Sequence, residues 1–579
     1  MRSTTLVGAR LTVADRPPST GSWVRGLVGK LGARTGWSLF ALVIAGLIIV
    51  PIAIYFAGAF EGGGAAIGEM FADPGLPKIF LTTLLLAVAS TAIGAVLAVA
   101  MVTLVMRVPR RFRGIASFIP QLPLVIPPVA VIYGWIFIFA PTSGYGNALL
   151  RSIPLFAGSS QGPLNIYSLP AIILITGVEL TSIIFALLYA RMHEINGSLM
   201  AAARLCGATA IRTFWSVTLP LLRPALVAGV VVAFLLGLGS FTAPLLLGTG
   251  PGIEVITTEV FRLREQFPVN YGLTAALGLP LLAIGIASIV VQRVVVGDQR
   301  RYVTQGSGRG MAGNASKWAV VLVVGYGVIT VLLPLAAILV VAFSPFWSGD
   351  LSTIKFTTQN FQTAFADPAV LNSITTSLLT SALAMIIVIP LGFVTALAMS
   401  GVLRAPRAVK YVLDYAFVAP LAVPRAMLGL VVLFVFIRPP FSLYGTLTLF
   451  IIGYAFIVLP FSLRSQYSSL IGVHSSLFEA ARISGASQFR TVLTVALPLT
   501  KRGITASLAL GFILLSQDFA VAVMLQSPGN QVMGTLLYEL GQTGTFPEVA
   551  VLALVMTAVT TAVLVLTVLI GGRKALENL

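Results

Sequence analysis

The sequence predicts an all-α membrane protein of twelve transmembrane helices in two parallel six-helix halves. Three observations carry that prediction. Of 579 residues, 57% are hydrophobic and only 9% charged, with a mean hydropathy of +0.99. A water-soluble domain carries about 25% charged residues to cover its surface, so most of this chain must be solvated by lipid. Twelve apolar stretches reach the roughly 20 residues that a bilayer core about 30 Å thick requires of a helix. The last six repeat the first six in order, with short motifs recurring at a nearly constant offset.

The stretches run near 38–60, 79–106, 115–139, 169–190, 222–247, 272–296, 317–345, 372–400, 411–437, 446–467, 502–525 and 548–571. Residues 1–37 hold six basic residues, one acid and the pair Pro17-Pro18, and read as a disordered cytoplasmic tail. They do not read as a signal peptide, because the apolar stretch behind them is long enough to span and no small-residue cleavage site follows it.

Basic residues collect in alternate loops. The tail, 107–113, 191–223, 293–317, 404–410, 464–502 and the end after 571 hold 29 of the 36 Lys and Arg. The other side keeps Lys78, Arg151, Arg262, Arg264, Lys355 and Arg438, and Arg425 falls inside the ninth stretch. By the positive-inside rule the basic side is cytoplasmic and so are both termini. The net charge of +18 is therefore a topology signal rather than a nucleic-acid footprint. A single cysteine, Cys206, excludes an internal disulfide and a cysteine metal cluster.

The repeat is legible in three places. FADP occurs at Phe71–Pro74 and Phe365–Pro368, PLVIP (Pro123–Pro127) matches PLAVP (Pro420–Pro424), and SGYGN from Ser143 matches SLYGT from Ser442. Beyond these the offset falls to 278, because the loop 141–168 is longer than its counterpart. Each half begins and ends on the basic side, so the repeats are parallel, related by an axis along the membrane normal. The domain organisation is then a tail (1–37), a first half (38–296), a Gly- and Ser-rich cytoplasmic linker (297–316) and a second half (317–579).

The strongest match lies between the fourth and fifth stretches of each half: LMAAARLCGATAIRTFWSVTLP at 199–220 and LFEAARISGASQFRTVLTVALP at 477–498. Ser476 and Glu479 have the spacing of a capping box, and Gly485 stands where a left-handed residue ends a helix. The first copy keeps Ser198 and Gly207 but has Ala201 in place of the glutamate. Both copies predict a short helix with a bare alanine surface, suited to a groove on another protein. An amphipathic helix lying on lipid headgroups would use Arg204, Arg212, Arg482 and Arg490, but two copies with identical Gly and Leu-Pro spacing disfavour it.

This pattern resembles the EAA loop of ABC-importer permeases. The resemblance implies a type I ABC-importer permease (MetI-like) fold, in which the loop forms a coupling helix docked in a cleft of a cytosolic ATPase. The residues carried over are Ala201, Ala202, Ala203 and Gly207, with Glu479, Ala480, Ala481 and Gly485. The stretches LLLGTGPGIEVITTEVF (245–261) and VMLQSPGNQVMGTLLYEL (523–540) are similar to the fused ferric-iron permease group, which has relatives for thiamine, aminoethylphosphonate and polyamines. The resemblance further implies a bacterial inner membrane, two copies of an ATPase subunit, and an extracytoplasmic substrate-binding protein.

No G-x-x-x-x-G-K-[ST] occurs, so ATP and Mg are expected on the partner subunits and no cofactor, metal or catalytic residue on this chain. His193 and His474 stand apart in cytoplasmic loops, and two isolated imidazoles do not make a metal site. Ionisable residues inside spans are expensive and mark function or structural pairs; here they are Glu179, Arg425 and Asp518. Asp518 is the expected partner of Arg425, with Glu179 second. The proline-rich stretches 121–131 and 419–428 should kink their helices at matching depth. A gradient-driven secondary transporter would share the two parallel halves, but nothing in that class accounts for two EAA-like loops. A membrane-bound enzyme has neither paired carboxylates nor a His cluster to support it.

Overall fold

A computed structural model of the chain describes residues 20–156, 159–195, 197–296, 315–350, 355–403 and 405–571. Among the described residues ten helices are long and apolar enough to cross a membrane, and two further pairs qualify only as broken spans, bent by 88° and 109°. The bent pairs are the third and ninth stretches. Span 3 is Arg110–Leu124 followed by Pro128–Phe139, and span 9 is Arg407–Ala422 followed by Arg425–Phe436. Neither is the continuous helix that length alone predicts. Pro120, Pro123, Pro127 and Pro128 in one, and Pro420 and Pro424 in the other, lack the N–H that an unbroken helix needs, and their rings clash with the preceding turn.

Two other expectations need correction. Span 1 is helical from Thr20 to Ala57, so residues 20–37 do not form a loose tail; the sequence Trp23, Val24, Leu27, Val28, Leu31 already has helical periodicity. Residues 1–19, and 297–314 of the expected linker, lie outside the described residues. Spans 5 and 11 run Ala210–Leu238 and Gln488–Ser516, starting and ending earlier than their hydropathy predicts. Each begins with one α-turn and a five-residue π-helical segment, Phe214–Thr218 and Val492–Ala496, which carries the helix into the Leu-Pro without a break.

The remaining spans are span 2 (Leu76–Arg107), span 4 (Leu169–Glu194), span 6 (Tyr271–Val296), span 7 (Lys317–Ala342), span 8 (Pro368–Ser400), span 10 (Leu447–Ile471) and span 12 (Phe546–Gly571). Small residues set the closest approaches, as membrane helices require. A Cβ on Gly94 of span 2 would stand 3.1 Å from the Gly177 carbonyl of span 4.

The halves interlock reciprocally. Span 3 packs against spans 7 and 12 of the second half, and span 9 against span 1 of the first. Tyr55 and Phe434 meet edge-on at 5.8 Å, while a Cβ on Gly285 of span 6 would lie 3.0 Å from the Ala422 carbonyl at the corner of span 9. Beyond the fifth span of each half, the chain forms a further helix, Ile256–Glu265 or Met533–Thr543, on the side opposite the basic loops. Both are pinned alike. The Ile256 N–H donates to Thr83 Oγ1 at 2.9 Å, and the Met533 N–H donates to Ser377 Oγ at 2.8 Å.

Candidate functional site

The EAA-like segments fold as two matching elements. Each short helix has nine residues, Gly197–Leu205 and Ser475–Ile483. Each ends on a left-handed glycine, Gly207 at φ +82° and Gly485 at φ +78°. The turn is closed by the same bonds: the Ala208 N–H donates to the Ala203 carbonyl and the Ala486 N–H to the Ala481 carbonyl, both at 3.0 Å. This is the six-to-one bond of a Schellman end. Next, the Thr209 and Ser487 hydroxyls accept from the backbone N–H of Arg212 and Arg490, each at 3.3 Å, capping spans 5 and 11.

The capping box expected at Ser476 and Glu479 is not formed. The second short helix starts two residues earlier than a Ser476 cap requires, with His474 as its flanking residue and no side-chain cap, so Ser476 lies within the first turn. Its hydroxyl instead stands 3.0 Å from His474 Nδ1. His193 is likewise turned to its own helix, with Nδ1 2.9 Å from the Tyr189 carbonyl. Among the described residues no group of three or more His, Cys, Asp or Glu could hold a metal ion.

Each short helix is anchored by one buried side chain, Met200 or Phe478, at equivalent positions. The remainder of the surface is open. Ala201, Ala202, Glu479 and Ala480 are exposed, and Ala203 and Ala481 are half-buried. Around them a strip of large apolar side chains is also exposed: Leu199, Leu205, Ile211 and Trp215 in the first copy, and Leu477, Ile483, Phe489 and Leu493 in the second. All four pairs share the 278-residue offset. Motif reading missed this strip, although the offset applied residue by residue would have found it.

The ionisable residues within the spans come together differently from expectation. Arg425 opens the second arm of span 9, directly after the bend. Its charge reaches both Glu179 on span 4 and Asp518 just beyond span 11. No carboxylate among the described residues stands within 4.0 Å of it. The ion pair expected between Arg425 and Asp518 is thus not closed, because Asp518 is engaged elsewhere. Its Oδ2 accepts from the N–H groups of Val521 (3.1 Å) and Ala522 (3.0 Å), starting the helix Ala520–Leu525. Arg425 and Glu179 are both partly exposed at this depth. The surroundings join the halves: Gln517 Nε2 donates to the Leu124 carbonyl at the corner of span 3 (3.1 Å), and a Cβ on Gly239 would stand 3.1 Å from Pro424 at the corner of span 9.

The family model described as "Binding-protein-dependent transport system inner membrane component" matches this chain twice, over residues 90–301 and 388–573. The chain belongs to that family. The two matches fall one in each half, as the repeat requires, and the chain is a fused, multi-pass permease of binding-protein-dependent ABC importers. Similar proteins include a ferric transport system permease protein, FbpB 1, of Haemophilus influenzae, 24% identical over 85% of this chain and 77% of the relative. The ferric transport system permease protein FbpB of Actinobacillus pleuropneumoniae is 22% identical over 86% of this chain and 72% of the relative. The spermidine/putrescine transport system permease protein PotB of Escherichia coli is 27% identical but matches only 38% of this chain, against 82% of its own length. A solved chain of a bacterial ABC transporter involved in the import of the acidic polysaccharide alginate aligns with 44% of this permease and 94% of that chain, at 15% identity and a TM-score of 0.37.

Proposed function

We propose that this permease imports ferric iron across a bacterial inner membrane by alternating access, driven by two copies of a separate cytosolic ATPase that hold the ATP and Mg. Similarity to the FbpB relatives over more than four-fifths of this chain supports the cargo. The observation that carries the energy coupling is the doubled apolar strip around Gly207 and Gly485. An exposed apolar surface of this kind marks an interaction site, and its repetition at one offset calls for two equivalent partners. The basic face bearing it is the cytoplasmic one and both termini lie there. An extracytoplasmic binding protein delivers the solute to the opposite face.

Force has a short route from ATPase to pathway. Each short helix is joined through a Schellman end and a hydroxyl cap to a span of 29 residues, a rod about 43 Å long at 1.5 Å per residue. The far ends of the two rods, at Gly239 and Gln517, rest against the corners of spans 9 and 3. Drawing the short helices together therefore moves the corners at which Arg425, Asp518 and Glu179 line the path.

The test is reconstitution in liposomes with the ATPase and binding protein encoded beside this chain. Radioactive ferric iron should accumulate only with ATP inside and binding protein outside. Accumulation driven by an ion gradient, with no ATPase present, would replace this reading with a secondary transporter; ATP-driven uptake of thiamine, aminoethylphosphonate or a polyamine, but not iron, would replace the cargo alone.

A further inference from the structure

Four aromatic rings close a circuit between the halves. Phe241 meets Phe519 at 5.7 Å between centroids, Phe519 meets Tyr538 at 5.6 Å, Tyr538 meets Phe261 at 6.4 Å, and Phe261 returns to Phe241 at 5.8 Å. All four separations lie in the range of favourable ring pairs. Phe241, Phe261 and Phe519 are buried, and Tyr538 is half-buried.

The register gives the circuit its meaning. Phe519 is the repeat mate of Phe241 at offset 278, and Tyr538 is the mate of Phe261 at offset 277, the offset that also relates Ile256 to Met533. A residue can touch its own mate only where the axis relating the halves passes between them. Two such pairs therefore fix that axis through the middle of the four rings. In a permease built of two halves the solute path lies at their interface.

The circuit also stands at a definite level. Phe261 and Tyr538 belong to the helices on the side opposite the basic loops. Phe241 and Phe519 lie three residues beyond Leu238 and Ser516, the ends of the two rods, and Phe519 directly follows Asp518. The single hydroxyl of the group, on Tyr538, accepts from Gln542 Nε2 at 2.7 Å, and Gln542 is exposed. Ring edges and faces alone meet at the centre, and a hydrated ion cannot cross such a contact without losing its water.

We propose that Phe241, Phe261, Phe519 and Tyr538 form the outer seal of the solute path. The inference rests on the importer reading for what moves the seal, but not for what the seal is. Two of the four contacts, Phe241–Phe261 and Phe519–Tyr538, lie within a half; the other two cross between halves. Within the circuit, parting the two ring pairs breaks only the crossing contacts, and the bond from Arg264 Nη2 to the Gln526 carbonyl (2.8 Å) crosses beside them. Each half keeps its own aromatic pair intact, so the seal opens as two rigid jaws and closes in the same register.

Two experiments on the full-length chain test this. In liposomes holding the chain alone, Phe241→Ala/Phe519→Ala should release trapped potassium at least about tenfold faster than the unmodified protein. In the complete complex, with exposed Cys206 replaced by serine as at Ser484, Phe241→Cys/Phe519→Cys is bridged by a short bis-methanethiosulfonate. Uptake should fall below about a tenth of that of the unbridged Cys206→Ser complex and return on reduction. A bridged complex that imports at the unbridged rate overturns the seal and leaves the importer reading standing. An alanine variant that folds and leaks no faster than the unmodified protein also overturns the seal, whereas an unbridged complex that shows no ATP-driven uptake sinks the importer reading and leaves the seal to the leak assay. Should the alanine variant not fold, the bridged pair decides alone.

Discussion

Replacing Ile483 by aspartate tests the ATPase docking proposed for the apolar strip. The Ile483 side chain is 87% exposed and its mate Leu205 is 89% exposed, so neither is needed by the fold of this chain. Fully burying a side chain of this size contributes about 1.5–3 kcal/mol. Aspartate forfeits that gain and adds the penalty of desolvating a charge, so docking at that helix should weaken by at least about 2 kcal/mol, roughly 30-fold in affinity. The substitution itself should shift the stability of the chain by no more than about 0.5 kcal/mol, as surface changes away from caps and cores do. The assay is titration of the detergent-solubilised permease with its ATPase subunit, beside a melting curve of the permease alone. Leu205→Asp should behave the same way, because the two positions are repeat mates with equal exposure. Affinities unchanged within threefold for both variants, with melting intact, would mean that the ATPase docks elsewhere.

Gly207→Ala and Gly485→Ala each force alanine into a left-handed conformation costing about 1–2 kcal/mol, and with nothing within 4 Å of either new methyl the effect is strain alone. Amide exchange at Ala208 and Ala486 should accelerate equally; a more than threefold difference between copies would break the equivalence. Thr83→Val and Ser377→Ala leave the N–H of Ile256 or Met533 buried without its acceptor, a loss of about 1–3 kcal/mol to be read as a lower melting temperature in detergent. An unchanged melting temperature would remove the pin. Arg425→Met should abolish uptake while the assembled complex survives extraction, whereas Asp518→Asn, which keeps an oxygen for the Val521 and Ala522 amides, should leave assembly unaltered. Normal uptake by Arg425→Met would take that residue off the path. Cys206, the one cysteine and exposed, should react with an impermeant maleimide in inside-out vesicles but not in intact cells; labelling in intact cells would reverse the topology.

What the sequence shows of this fold follows the physics of each signal. Lipid solvation leaves long uninterrupted apolar runs, so the ten straight spans are legible with boundary errors only. The bends at Pro127 and Pro424 were visible as prolines, but a count of apolar residues takes 115–139 and 411–437 as single helices, because hydropathy carries no direction. Spans 5 and 11 start early for a related reason: Arg212, Arg490 and the neighbouring hydroxyls read as loop, yet Thr209 and Ser487 cap a helix that already includes them. The glycine stops at Gly207 and Gly485 were legible because a left-handed φ selects that residue. The Ser476 box failed because a cap depends on which residue is first in the helix, and the shift of two positions to His474 removes it. The aromatic circuit was invisible, since Phe241 and Phe261 gain their significance only from standing opposite their own mates.

Duplication also separates what the fold requires from what chemistry requires. Thr83 and Ser377 accept the same backbone bond, Thr258 and Thr535 close the same turn, and Thr209 and Ser487 make the same cap. Each is a need of the fold, met once per half by residues of like kind. The charges break that pattern. Opposite Arg425 the first half has Pro128, opposite Asp518 it has Ser240, and opposite Glu179 the second half has Ile457. Since the mates hold equivalent helices without any charge, packing alone does not call for charge at these positions. A lone guanidinium at membrane depth carries a penalty of at least a few kcal/mol, and beginning a helix with it places like charge against the positive end of the helix dipole. Selection for stability would remove Arg425, and the proline at its mate shows that the corner can be built without it. The role proposed for Arg425 on the solute path, an interaction formed during transport on one side of the axis only, accounts for its retention where stability does not.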